Sequence, residues 1–163
     1  VTSPATLPDL EPITGADLTE WIERSVSEYT ADLVRLGRDH ASAQAVARRS
    51  VAAQFPEGRV PPGQHVFHIV HDGRRVGYLW LGEAASRGGD GGVQWWVWDV
   101  LVDESARGRG LGRGTMLRAE RFARENGADE LGLSVFGFNT GAQRLYASLG
   151  YETTSIKMSK RLD

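Results

Sequence analysis

The chain has 163 residues, 40% hydrophobic and 25% charged, the composition of one globular domain long enough to bury a core. A formal net charge of -2 argues against nucleic acid as a partner, and no apolar run approaches the roughly 18 residues that span a membrane. The absence of cysteine excludes disulfides, thiolate metal sites and an acyl-cysteine intermediate, and Val1 onward does not read as a signal peptide, so a cytoplasmic location is expected.

Pro4, Pro8 and Pro12 punctuate a first stretch with Leu7, Leu10 and Ile13 between them, which predicts a short edge strand. Thr14 and Asp17 have the spacing of a capping box. Leu18, Trp21, Ile22, Val26, Tyr29, Leu33 and Leu36 then recur at helical spacing, with Gly37 as the expected C-cap. An alanine-rich helix is predicted over 42–54 and a loop over 55–63. Strands are predicted over His65–His71 and Arg75–Leu81, joined by an Asp72-Gly73 hairpin turn. After a turn region over 84–92, Trp95–Val102 reads as a central strand buried on both faces, with Asp99 its only charge.

A helix over 112–126 follows, closed by Asn126-Gly127, then a strand over Glu130–Phe136. A helix over Gly141–Leu149 ends at Gly150, and two strand segments are predicted over Tyr151–Lys160. The strands beginning at 95 and 130 should be parallel, because a helix crosses between them. The expected fold class is mixed α/β (α+β): a single, mostly antiparallel sheet with a central parallel strand pair and helices on both faces.

Between the central strand and its helix, Gly108, Gly110, Gly112 and Gly114 fall at alternate positions, with Arg107, Arg109 and Arg113 among them and Leu111 at the centre. Glycine lets a backbone approach a ligand and turn its N–H groups inward, the helix adds the positive end of its dipole, and arginine adds donors that fit phosphate oxygens. This is an anion cradle, suited to a pyrophosphate. A dinucleotide fingerprint from Gly108 or Gly110 fails, because the required glycines are Arg113 and Thr115; a Walker A loop fails for want of a glycine–lysine pair. The pattern that fits is R-x-x-G-x-G, as Arg107, Gly110 and Gly112. Further on, Asn139, Ala142, Leu145, Tyr146, Leu149, Gly150 and Tyr151 spell N-x-x-A-x-x-L-Y-x-x-L-G-Y. Asn139 is a natural N-cap, and the rest is one helical face stopped by glycine. By itself, Tyr146 reads first as a core aromatic with its hydroxyl toward solvent, and only the loop reverses that preference.

In this order and at this separation, the two motifs resemble those of the GNAT N-acetyltransferase superfamily, and the N-terminal half is similar to small uncharacterised bacterial members. The resemblance covers Trp95–Leu162 closely. It implies an acyl-CoA N-acyltransferase fold over 1–163 as one domain, with acceptor-side helices and loop in 1–63 and the sheet and acetyl-CoA-binding core in 64–163. It implies that Val100, Leu101 and Val102 hold the pantetheine arm through their backbone. The cradle at Arg107, Gly108, Arg109, Gly110, Leu111, Gly112, Arg113 and Gly114 would hold the pyrophosphate. Asn139 and Ala142 would contact the cofactor, and Tyr146 would act as general acid near the thioester sulfur. Acetyl-CoA is the expected cosubstrate, without a metal, and an amine of a small molecule or peptide the expected acceptor. A homodimer is allowed, while neither nucleic acid nor membrane is an expected partner.

Making an alkyl ammonium neutral at pH 7 costs about 4.6 kcal/mol, so such a reaction needs a base or a desolvating pocket. Some family members carry a glutamate early in the central strand, where this chain has Trp96; Asp99 is the nearest carboxylate. Asp99 either takes the proton, directly or through water, or is a structural carboxylate paired with an arginine or capping a bulge. His65, His68 and His71 are weaker candidates, and their spacing alternates faces of a strand, against a shared metal site. Trp21, Glu23, Tyr29, Asp32, Trp80, Trp95 and Trp98 could shape an amine site or serve as core and solvated helix face. Two other readings share the cradle: a non-catalytic acyl-CoA sensor and a nucleotide-binding protein.

Overall fold

Among the described residues, glycine closes three of the four α-helices. The computed structural model describes residues 7–85, 91–160 and 162, and within them the elements run β1 Asp9–Pro12, α1 Ala16–Arg35, α2 His40–Gln54, β2 Gln64–His71, β3 Arg74–Glu83, β4 Gln94–Val102, α3 Leu111–Glu125, β5 Glu130–Leu133 and α4 Thr140–Ser148. Helices α1, α3 and α4 end in the same way. Gly37, Gly127 and Gly150 sit in left-handed conformation and donate to Val34, Arg124 and Ala147, while the next residues donate to Leu33, Ala123 and Tyr146. These paired bonds satisfy the last carbonyls of each helix, as a Schellman motif does.

Helix starts are less regular. The Thr14–Asp17 capping box does not form: Gly15 is the N-cap, without a side-chain bond, and Asp17 instead pairs with Arg75 at 2.8 Å. A strong charge partner on the neighbouring sheet outcompetes a local backbone bond. Helix α2 begins two residues earlier than predicted because the Asp39 carboxylate accepts from the Ser42 N–H at 2.9 Å.

The five strands lie in the order β1-β2-β3-β4-β5, antiparallel except for the parallel pair β4–β5. Helices α1 and α2 cover one face, where Leu18, Trp21, Val26 and Leu33 pack with Ala43, Ala47 and Val51 on Val66, Tyr78 and Trp80. Helix α3 covers the other, laying Met116, Ala119 and Ala123 on Ile69, Leu79, Leu81, Trp95 and Val97. The α/β architecture with one mostly antiparallel sheet is therefore as expected. No helix among the described residues is long and apolar enough to cross a membrane.

Three expectations change. The strand buried on both faces is β3, whose residues from Gly77 to Gly82 are all buried, whereas β4 is buried only at Trp95 and Val97. Strand β5 stops at Leu133, short of Phe136. Residues 151–160 form no strand, and Ile156 and Met158 stand 78% and 87% exposed, with no strand pairing beside them among the described residues. Pro4, and residues 86–90 of the predicted turn, lie outside the described residues.

The strand β3 meets β4 most tightly at Gly77, where an added Cβ would overlap the Leu101 carbonyl oxygen. Gly77→Ala is therefore expected to cost about 1–3 kcal/mol, the usual range for overpacking. The check is a lowered thermal midpoint by circular dichroism.

Candidate active site

One extra residue in β4 shapes the site. Asp99 lies opposite Trp80 and Val97 opposite Leu81, which leaves Trp98 with no opposite number. Side chains alternate along a strand, so a one-residue bulge reverses which face the following residues address. Trp95 and Val97 face α3, whereas Asp99 shares the face of Trp80, beneath α1. Without the bulge, Asp99 would point into the α3 core.

Just before the bulge, β4 loses its parallel neighbour. The pairing with β5 runs from Gln94 opposite Glu130 to Val97 opposite Leu133 and stops there. From Trp98 to Val102 the β5-side edge of β4 has no strand beside it among the described residues. Val100, Leu101 and Val102 lie on this stretch, half-buried. A divergence of two parallel strands at their carboxyl ends is where ligands enter such sheets.

The glycine–arginine loop follows directly, after a 3-10 turn over Glu104–Ala106 that buries Ala106. Gly108 and Gly110 have φ of 76° and 77°, a left-handed backbone that favours glycine, and an added Cβ at either would meet nothing within 4 Å. Gly110 is the N-cap of α3 and brings no side-chain cap. The N–H groups of Leu111, Gly112 and Arg113 thus have no acceptor inside the helix. Leu111 buries its side chain, Gly112 lies against Leu145, and Gly114 donates its N–H to Gly110 and packs on Pro8. Arg118, one turn further along α3, donates to the Pro8 carbonyl at 3.0 Å and to Asp9 at 3.2 Å.

The arginines have distinct anchors. Arg107 donates from Nε to the Val102 carbonyl at 3.0 Å, which leaves the rest of its guanidinium free to act beyond the end of β4. Arg109 reaches Asp72 of the β2–β3 turn at 3.5 Å, a long and exposed contact. Arg113 bonds the Ser148 hydroxyl and so ties α3 to α4. Uncapped amides, open space over two left-handed glycines and nearby guanidinium groups suit a pyrophosphate, and the β4 edge without a neighbour suits an amide-bearing arm. The chemistry of the donor set fits acetyl-CoA.

Helix α4 starts on Asn139, whose Oδ1 accepts from the Ala142 N–H at 3.2 Å. Its side-chain carbonyl is thus engaged in capping, and the amide nitrogen is what it can offer a ligand. Tyr146 is half-buried, its ring 5.9 Å from that of Tyr151. Burial raises the Tyr146 hydroxyl above its ordinary pKa, and the Asp99 charge adds to the rise, so the hydroxyl keeps its proton at neutral pH.

Asp99 retains some open surface but is closely surrounded by protein. Burial lifts its pKa to about 6, against the opposing pull of Tyr78 and Ser25, and the charges of Glu28 and Asp32 raise it further. The Ser25 hydroxyl donates to Oδ2 at 3.2 Å. The Tyr78 hydroxyl is near enough to favour the carboxylate but makes no hydrogen bond of normal geometry. Among the described residues no arginine pairs with Asp99; Arg24 lies over the Tyr78 ring at 5.2 Å and bridges instead to Asp103.

Most of the aromatic candidates are core. Trp21 packs edge-on against Phe55, Tyr78 and Trp80, and Trp95 stacks with His65. Trp98 differs: it is 41% exposed, its ring 5.8 Å from Trp80. Glu23 is an exposed partner of Arg48, Tyr29 is half-buried on α1, and Asp32 has its pKa raised by burial. His68 and His71 sit 3.5 Å and 3.4 Å from Asp17 and Asp72, so the three histidines have separate surroundings. Sequence reasoning missed Ser25, Glu28 and Tyr78. Ser25 left a signal, a small polar residue on the apolar stripe of α1, where it is 4% exposed.

Residues 21–151 match the family described as the acetyltransferase (GNAT) family. The uncharacterised N-acetyltransferase YdgE of Bacillus subtilis is 33% identical over 109 residues, covering 66% of this chain and 68% of its own. YycN, an uncharacterised N-acetyltransferase from the same organism, is 24% identical over 155 residues, 94% of this chain and 97% of its own. The crystal structure of YycN superposes with a TM-score of 0.86, covering 95% of this chain and 98% of that one. A mycothiol acetyltransferase from Thermobispora bispora is 37% identical over 89 residues, 55% of this chain but 30% of that protein.

The Asp99 environment has a consequence for stability. Its folded pKa is raised from 3.8 to about 6, so the fold binds this proton more tightly than the unfolded chain does. That contribution is fully present below about pH 4 and is lost as pH rises through about 6. At about 1.4 kcal/mol per pH unit the loss is at most about 3 kcal/mol, and less to the extent that Asp99 stays hydrated. Asp99→Asn should therefore be more stable than the parent above pH 6, with the gap closing toward pH 4. Urea melts across that range measure it, and a variant equally or less stable at pH 8 would contradict it.

Proposed function

The chain belongs to the acetyltransferase (GNAT) family, and from that premise we propose that it moves an acetyl group from acetyl-CoA to a primary amine of a small molecule or peptide. The observation that carries this reading is the pairing of two unlike acids beside the free edge of β4. Asp99 titrates near pH 6, Tyr146 stays protonated, and the charge of one acts on the other. Such separation marks a base and an acid at neutral pH.

Acetyl-CoA, when bound, supplies a thioester whose carbonyl carbon accepts the amine nitrogen and whose sulfur leaves as a thiolate. The chain's own residues do the rest. Backbone groups of Val100, Leu101 and Val102 hold the arm along the β5-side edge of β4, which has no strand beside it among the described residues. The amides of Leu111, Gly112 and Arg113, with Arg107 and Arg109, neutralise the pyrophosphate at the positive end of α3. Amides splayed by the bulge at Trp98 are donors for a developing oxyanion. Asp99 takes one proton from the incoming ammonium, directly or through one water; the nitrogen's second proton passes to solvent as the adduct collapses, and the Tyr146 hydroxyl gives its proton to the departing sulfur and regains one from solvent. Because the chain has no cysteine, transfer is direct in a ternary complex. Carboxylates at Glu28, Asp32 and Asp99, with the exposed ring of Trp98, favour a cationic acceptor.

Thiol release during incubation with acetyl-CoA and a broad panel of amines and peptides tests the proposal. Tyr146→Phe is expected to lower kcat about 10–100-fold with little change in KM for acetyl-CoA; unchanged turnover would remove Tyr146 from the acid role. With an accepted amine, kcat/KM should rise with pH through about 6 as Asp99 ionises, and Asp99→Asn should abolish that limb and most activity. A chain that binds acetyl-CoA yet acetylates no member of the panel would be a non-catalytic acyl-CoA sensor. Tighter binding of ATP or NAD than of acetyl-CoA in calorimetry would overturn both readings.

A further inference from the structure

Strand β5 is last in the sheet, so the edge of Glu130–Leu133 facing away from β4 has no partner among the described residues. An unpaired edge is a template for another strand. Beside it runs a groove of about 530 Å³ between β5, α3 and the chain that leaves α4. Its charged lining is mostly acidic, with Glu120, Asp129, Glu130 and Glu152 against Arg124. Glu120 and Tyr151, both lining it, lie close enough for the carboxylate to act on the tyrosine hydroxyl, without a hydrogen bond of normal geometry between them.

The C-terminal segment has the complementary character. From Thr153 to Leu162 it carries Lys157, Lys160 and Arg161 and no acid. Ile156, Met158 and Leu162 fall at even positions, the period of a strand with one apolar face. They are 78%, 87% and 88% exposed. Thr154 still lines the groove of its own chain, and beyond it the segment runs out into solvent rather than back along β5.

We propose that residues 153–162 pair with the β5 edge of a second copy of this chain, each copy lending its C-terminal strand to the other's sheet. The exchange gives backbone partners to both unpaired edges, covers Ile156 and Met158, and lays the basic segment along the acidic groove. Reciprocal exchange about a two-fold axis closes after two copies, so it yields a dimer and not a filament.

Light scattering on the full chain should give twice the chain mass; a monomer at all concentrations overturns the proposal. Ile156→Asp combined with Met158→Asp is expected to raise the dimer dissociation constant by at least about 100-fold. The two side chains are exposed in the single chain, so its circular dichroism should not change. Since the protein has no cysteine, Glu130→Cys with Met158→Cys in one chain allows a clean cross-link with a short bis-maleimide. Exchange predicts a product of two chains on a denaturing gel. A looped single chain, which would mean that the segment covers its own β5, overturns the proposal, as does a dimer with no cross-link.

Discussion

The extra residue at Trp98 is the constraint on which the candidate site depends. A regular β4 would continue the alternation begun by Trp95 and Val97 and bury Asp99 among apolar side chains against α3, at a cost that a lone carboxylate does not meet. The bulge turns it instead toward Ser25 and Tyr78, where partial burial leaves it able to ionise near neutrality. The same irregularity sits one residue past the last β4–β5 pair, so the change of face and the opening of the sheet happen together. A single insertion thus sets both the position of the Asp99 carboxylate and the start of a β4 edge with no strand beside it among the described residues.

Around this irregularity the sheet is held by two unlike cores. The α1–α2 side is aromatic, with Trp21, Phe55, Tyr78 and Trp80 in edge contacts, and it admits polar Ser25 and Thr30. The α3 side sets Ile69, Leu79, Leu81 and Met116 around rings of Phe67, Trp95 and Phe122, with alanines at 119 and 123 where the helix meets the strands. Seated on these residues, α3 brings its N-terminal amides to the loop, while the α1 side admits polar groups near Asp99.

The legible parts of the sequence were those governed by local chemistry. Gly37, Gly127 and Gly150 announced helix ends because the left-handed residue that closes a Schellman turn is usually glycine. The loop at Arg107–Gly114 and the Asn139 cap were legible for the same reason. The bulge was not, because one added residue in a strand of tryptophan and valine leaves no trace in composition; only pairing with β3 exposes it. Asp17 misled, since its partner Arg75 lies far along the chain. Apolar alternation after Tyr151 carried a strand propensity that a single chain gives no neighbour to satisfy.

The contact between Pro8 and Gly114 joins distant parts of the molecule. Strand β1 is the opposite edge of the sheet from β5, yet the residue just before it packs on the first turn of α3, and Arg118 fastens the same backbone from above. The front of the chain therefore acts as a brace for the glycine loop. A tag or partner domain fused ahead of Leu7 would pull on that brace, so its influence would reach ligand affinity from the far side of the sheet.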